Sequence, residues 1–177
     1  MKGNYSKGFT LIEILVVMVL LGLLSGVAVF TLGSGKLQRE LEVEAQRLHT
    51  LLRMASEEAI LSNSEIGFSI DDDHYEFLEY DDEKQTWASA SVSVLKPRDL
   101  PEWLAPEFQR EGRTKILGKD SSDAKESKKP DMMLLSSGEV TPFSITLRVQ
   151  NNDEGGFIIS SDGLEEIKLV IPGREEE

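Results

Sequence analysis

The chain has 177 residues, enough for one domain with a real core plus an appended segment. It has no cysteine, which excludes a disulfide framework, thiolate-bound zinc and a cysteine nucleophile; its two histidines, His49 and His74, leave little for a metal site or a histidine-based catalytic set. The net charge is −13, yet residues 1–40 carry +2 (Lys2, Lys7, Lys36 and Arg39 against Glu13 and Glu40), so the rest forms an acidic body of −15 that repels phosphate backbones and argues against nucleic acid as a partner.

Residues 1–8 are short, polar and basic. Residues 9–32 are apolar, with Glu13 as their only charge. At about 1.5 Å per residue such a helix crosses a hydrocarbon core of roughly 30 Å. Basic flanks stay cytoplasmic, so the N-terminus reads as inside and the body as outside, in the periplasm of a Gram-negative cell. A secretory signal would have a shorter apolar run and an A-x-A-like site; here LGSGKLQREL follows instead.

Residues 33–64 read as an amphipathic helix. Leu37, Leu41, Ala45, Leu48, Leu52, Ala55 and Ala59 are spaced by threes and fours, a stripe of helical period. Gly33 and Gly35 mark a soft point in a nearly continuous helix that ends near Ser62-Asn63-Ser64.

Residues 65–177 read as a β-rich head. Ile66, Phe68 and Ile70 alternate with Gly67 and Ser69. Asp71-Asp72-Asp73 turns the chain into HYEFLEY, and DDEK turns it again before Thr86-Trp87. Val92 and Val94 suggest a further strand. KPRDLPEWLAPEFQ, with three prolines, reads as an ordered irregular loop anchored by Trp103 and Phe108. GKDSSDAKESKKPD reads as a mobile surface loop at about 118–130. Phe143, Ile145, Leu147 and Val149 alternate cleanly. NNDEGG then leads to FIIS, and Asp162-Gly163 leads to LEEIKLVI. The fold class is α+β: a long N-terminal helix packed on antiparallel β-sheets.

Glu13 is the misfit of the apolar run. Thr10-Leu11-Ile12-Glu13 has the form of a helix capping box, and an acid suits the first turn of a helix. A carboxylate within an apolar layer also costs a few kcal/mol and calls for a partner. A cut after Gly8 would create one: the cationic amino terminus of Phe9, on this chain or on a neighbouring subunit. Both readings remain open from the residues alone.

KGFTLIE followed by an uninterrupted apolar run resembles the N-terminus of type IV pilins and type II secretion pseudopilins, over roughly residues 7–32. The resemblance implies cleavage by a prepilin peptidase between Gly8 and Phe9 and N-methylation of Phe9. It further implies storage in the inner membrane, and a Glu13 contact to a neighbouring subunit's N-terminus on assembly. The stretches SEIGFSIDDDHYEFLEYDDEKQTW, KPRDLP and DMMLLSSGEVTPFSITL resemble H-type minor pseudopilins of type II secretion systems. That narrower resemblance implies a structural subunit at or near the tip of a periplasmic pseudopilus. Its implied partners are other minor and major pseudopilins, the prepilin peptidase and the inner-membrane secretion platform, with secreted cargo a further candidate.

No cofactor, metal or catalytic set is expected. Asp71–Asp73 and Asp81-Asp82-Glu83 lack the spacing of a calcium loop and suit turns. No GxxxxGK[ST] occurs, so an ATPase must be a separate protein. The competing functions are a minor pilin of a type IV pilus and a membrane-anchored periplasmic enzyme. The acidic C-terminus, Gly173-Arg174-Glu175-Glu176-Glu177, disfavours the DNA-uptake relatives of the first, and no convergent polar site supports the second.

Overall fold

A computed structural model describes residues 10–110, 113–115, 129–152 and 155–171; the side chains of residues 23–34, 113 and 115 are not described. The chain divides into two units, residues 1–39 and residues 40–177. One helix, α1 (Leu11–Ser62), contributes to both.

In the second unit, Leu41, Ala45, Leu48, Leu52, Ala55 and Ala59 are buried, as the periodicity predicts, and Leu51 joins them. Small alanines at three of these positions let sheet side chains come close to the helix backbone. The helix ends where expected. Asn63 takes φ 50°, a left-handed residue just past the last turn. Ser64 N–H then donates to Ala59 O (3.2 Å) and Asn63 N–H to Ile60 O (3.4 Å), the paired bonds of a Schellman stop.

Sheet A is built from β1 (Ile66–Ile70), β2 (His74–Asp81), β3 (Thr86–Ser89), β4 (Arg98–Asp99) and β7 (Met132–Leu134). Its order is β3-β2-β1-β7, with β4 also on β2. Sheet B contains β5 (Leu104–Arg110), β6 (Arg113–Lys115), β8 (Phe143–Val149), β9 (Phe157–Ser161) and β10 (Lys168–Val170) in the order β10-β9-β8-β5-β6. Every pairing is antiparallel. One buried cluster joins the helix stripe to Ile66, Phe68 and Phe77 of sheet A and to Phe108, Ile145 and Ile159 of sheet B.

The turns follow their residues. Asp71 N–H donates to His74 O (2.9 Å) to close the first hairpin. Asp81 Oδ1 accepts from the Glu83 and Lys84 amides at 3.1 and 3.0 Å, closing the second. Gly138, at φ 90°, completes the SSG turn, and Leu134 bridges Val140 beyond it. The Glu65 carboxylate accepts from Ser136 N–H and Oγ, tying the helix exit to that turn.

Three expectations need correction. Val92 and Val94 do not form a strand: Ser93–Leu95 is a single 3-10 turn that buries Leu95. KPRDLPEWLAPEFQ is not an irregular loop, because β4 and most of β5 lie in it. Trp103 packs against the core and Phe108 is buried, as anchors should be, but Pro106 lies inside a strand. Gln150 N–H donates to Trp103 O, so the ladder to β8 bonds through Trp103, Ala105 and Glu107. Pro106 therefore turns its missing donor to the other side, where the described residues of β6 pair with Phe108 to Arg110. Lastly, LEEIKLVI is strand only at Lys168–Val170; Leu164 to Ile167 form a turn. Most of the loop at 118–130 lies outside the described residues.

Candidate assembly site

The N-terminal site is set by the start of α1. Thr10 is its cap: Thr10 Oγ1 accepts from Glu13 N–H at 3.3 Å, and Thr10 O accepts from Glu13 and Ile14 N–H at 3.1 and 3.3 Å. That is the Thr half of a capping box, with Glu13 at its third helical position. The Glu13 side chain is exposed, and no described residue pairs with its carboxylate. The cap and a partner in another molecule are thus compatible: the backbone of Glu13 serves the first while its carboxylate stays available for the second. Gly8 and Phe9 lie outside the described residues.

Every described side chain from Thr10 to Gly22 is exposed, including Leu11 at 87%, Ile12 at 71% and Met18 at 67%. Leu11, Ile12, Val17 and Leu20 put exposed apolar surface on all sides of the helix. A helix apolar all round needs lipid or other protein around it. Among the described residues, no helix is long and apolar enough to cross a membrane; residue 9 and the side chains of 23–32, within the predicted span, lie outside that description.

The head offers no metal cluster among its described residues. Its acidic turns spend their carboxylates internally. Asp73 accepts from His74 Nδ1 (2.7 Å), which holds its pKa below the usual carboxylate value. A hydrogen bond from Lys84 does the same for Asp81. Asp162 Oδ1 accepts from the Glu165 and Leu164 amides, both at 3.0 Å, and its pKa is lowered by them. His49 is a packing residue: its Nε2 bonds Ile167 O at 2.8 Å, linking helix to C-terminal segment.

The sequence did not anticipate a cleft of about 250 Å³ between α1 and the turn after β9, lined by Arg53, Glu57, Ile60, Val140, Leu164 and Glu166 among others. Its signal was present in Ile60, an apolar residue that stands off the buried stripe of the helix.

Residues 44–163 match the family model described as "Type II transport protein GspH", and residues 3–29 match the prokaryotic N-terminal methylation motif. The chain belongs to the GspH family. It is 38% identical to the type II secretion system protein H of Pseudomonas aeruginosa, over 96% of this chain and 98% of that one. It is 27% identical to the protein H of Aeromonas hydrophila over the full length of both. The crystal structure of the minor pseudopilin EpsH from the type II secretion system of Vibrio cholerae superposes with a TM-score of 0.65 at 27% identity, covering 79% of this chain and 99% of that one. The solution structure of Escherichia coli GspH shares the fold, with a TM-score of 0.53 at 17% identity. GspH membership carries the function of a minor pseudopilin in type II secretion, a structural family rather than an enzyme family.

Proposed function

We propose that this GspH-family chain is stored in the inner membrane by residues 9–32, with its head, residues 65–177, in the periplasm. Residues 1–8 are a leader, removed between Gly8 and Phe9 by a prepilin peptidase, and Phe9 is then N-methylated. On extraction the apolar helix exchanges lipid for neighbouring pseudopilins, and the Glu13 carboxylate receives the amino terminus of an adjacent subunit, fixing register. The subunit sits at or near the pseudopilus tip, where its head meets other minor pseudopilins and secreted cargo. One observation carries the reading: Glu13 keeps an exposed carboxylate on a helix otherwise covered in exposed apolar side chains. An ion pair at one point of a greasy surface sets position more than it adds affinity.

The test is processing. Substituting Gly8 by a bulkier residue should leave the precursor uncut in cells that hold the peptidase, so the shift on gels disappears and no methylated Phe9 peptide is found by mass spectrometry. Normal processing of that variant would defeat the cleavage assignment.

A further inference from the structure

The cleft in the head is a built feature. One wall is a helical row, Arg53, Ser56, Glu57 and Ile60, spaced so that all four face the same way. The other is the turn Leu164-Glu165-Glu166-Ile167. That turn is held from several sides. Asp162 Oδ1 takes the Leu164 and Glu165 amides, Ser161 Oγ takes the Gly163 amide, and Gly163 O takes Val140 N–H at 3.1 Å. Gly163 sits at φ 101°, and a Cβ there would lie 2.9 Å from Val140 O, so only glycine fits. The His49 bond to Ile167 O fixes the far end against the helix.

This rigid turn does something a solvated turn has no need to do. It holds Leu164 out at 85% exposure, in the same cleft lining as Ile60 at 50%. Apolar side chains carried on a backbone already held at the lip of a preformed cleft leave only their own rotamers to be ordered on covering, which suits an interface anchor. The rim is acidic. Arg53 faces Glu57 at 3.8 Å and Lys168 pairs with Glu165, while Glu166 has no cation among the described residues.

We propose that this cleft is a subunit-docking site, and that its occupant is a segment of another pseudopilin carrying an apolar side chain flanked by lysine or arginine. The apolar residue covers Leu164 and Ile60, and the cation meets Glu166. The proposal rests on the assembly reading and adds the chemistry of the partner. Lipid is disfavoured because an acidic rim repels anionic headgroups.

The test uses the full-length chain in secreting cells, with a photo-crosslinking residue at Leu164 or, separately, at Leu15 of the apolar helix. The expected result is a Leu164 adduct to a different pseudopilin, mapped by mass spectrometry to an apolar residue beside Lys or Arg. Glu166→Lys should lower that adduct about tenfold, because like charges then face each other. It should spare the Leu15 adduct and the melting temperature. The proposal fails if Leu164 yields no subunit adduct while Leu15 does. It also fails if the adduct is to a second copy of this chain, to cargo or to lipid, or if Glu166→Lys changes nothing. If neither position reaches another subunit, the assembly reading falls first and takes the cleft assignment with it.

Discussion

Glu13 does two things with one residue. Its amide closes the helix cap on Thr10, and its side chain points to no described partner. Glu13→Ala keeps the amide and removes the carboxylate. It should therefore leave membrane insertion and head folding intact while secretion and pseudopilus assembly drop sharply, as followed by carbonate extraction and an export assay. Unchanged secretion would leave the cap as the whole role of the residue. Gly67 shows a different constraint. It is the second residue of β1, where a Cβ would come within 2.6 Å of Pro130 Cβ and 3.0 Å of Trp87. Gly67→Ala should destabilise the head by about 1–3 kcal/mol through overpacking, read by urea denaturation. Retention of wild-type stability would mean that Pro130 can move aside.

At the scale of elements, the helix stripe is the part that holds the head together. Leu52 is fully buried at its centre, so Leu52→Ala should cost about 2–5 kcal/mol, checked by thermal or urea unfolding. This element was legible in the sequence because period, caps and burial agree: six of the seven stripe residues are buried, and Asn63 stops the helix within the predicted triplet. β1, β2 and β8 were legible for the same reason, alternation bounded by turn residues. β5 was not. Its Pro106 is a strand breaker by composition and harmless to the β8 ladder by position, since its missing donor faces away from β8, and only the register of a distant strand reveals this. Val92 and Val94 misled in the opposite direction: they alternate, but among the described residues they pair with no strand and lie in a turn that buries Leu95. The Thr10–Glu13 helix cap was readable because its residues lie within one turn of sequence. The cleft was not, because its walls come from residues 53–60, 138–140 and 164–167, brought together only by the fold.

For the molecule as a whole, the excess of acid has a consequence for pH. Asp73, Asp81 and Asp162 all have pKa values below the ordinary 3.8, through hydrogen bonds from His74, from Lys84 and from the Glu165 and Leu164 amides. A carboxylate with a lowered native pKa contributes stability that is complete above the unfolded value and is lost as pH falls through the native one. These three turns should thus support the head at neutral pH and weaken below about pH 4. Asp162→Asn keeps the turn geometry without the charge, so it should flatten the decline of melting temperature on acidification. An acid slope equal to wild type would show that Asp162 does not contribute.

The chain order of the strands has a last consequence. β5 and β6, which belong to sheet B, are threaded between β4 and β7 of sheet A, so neither sheet is a continuous piece of chain. Sheet A cannot gain β7 until part of sheet B has already crossed into the compartment where the head folds. No single cut separates the two sheets. The head should melt in one cooperative step, and a protease that nicks it anywhere between β1 and β10 severs the chain inside a sheet whose strands lie on both sides of the cut.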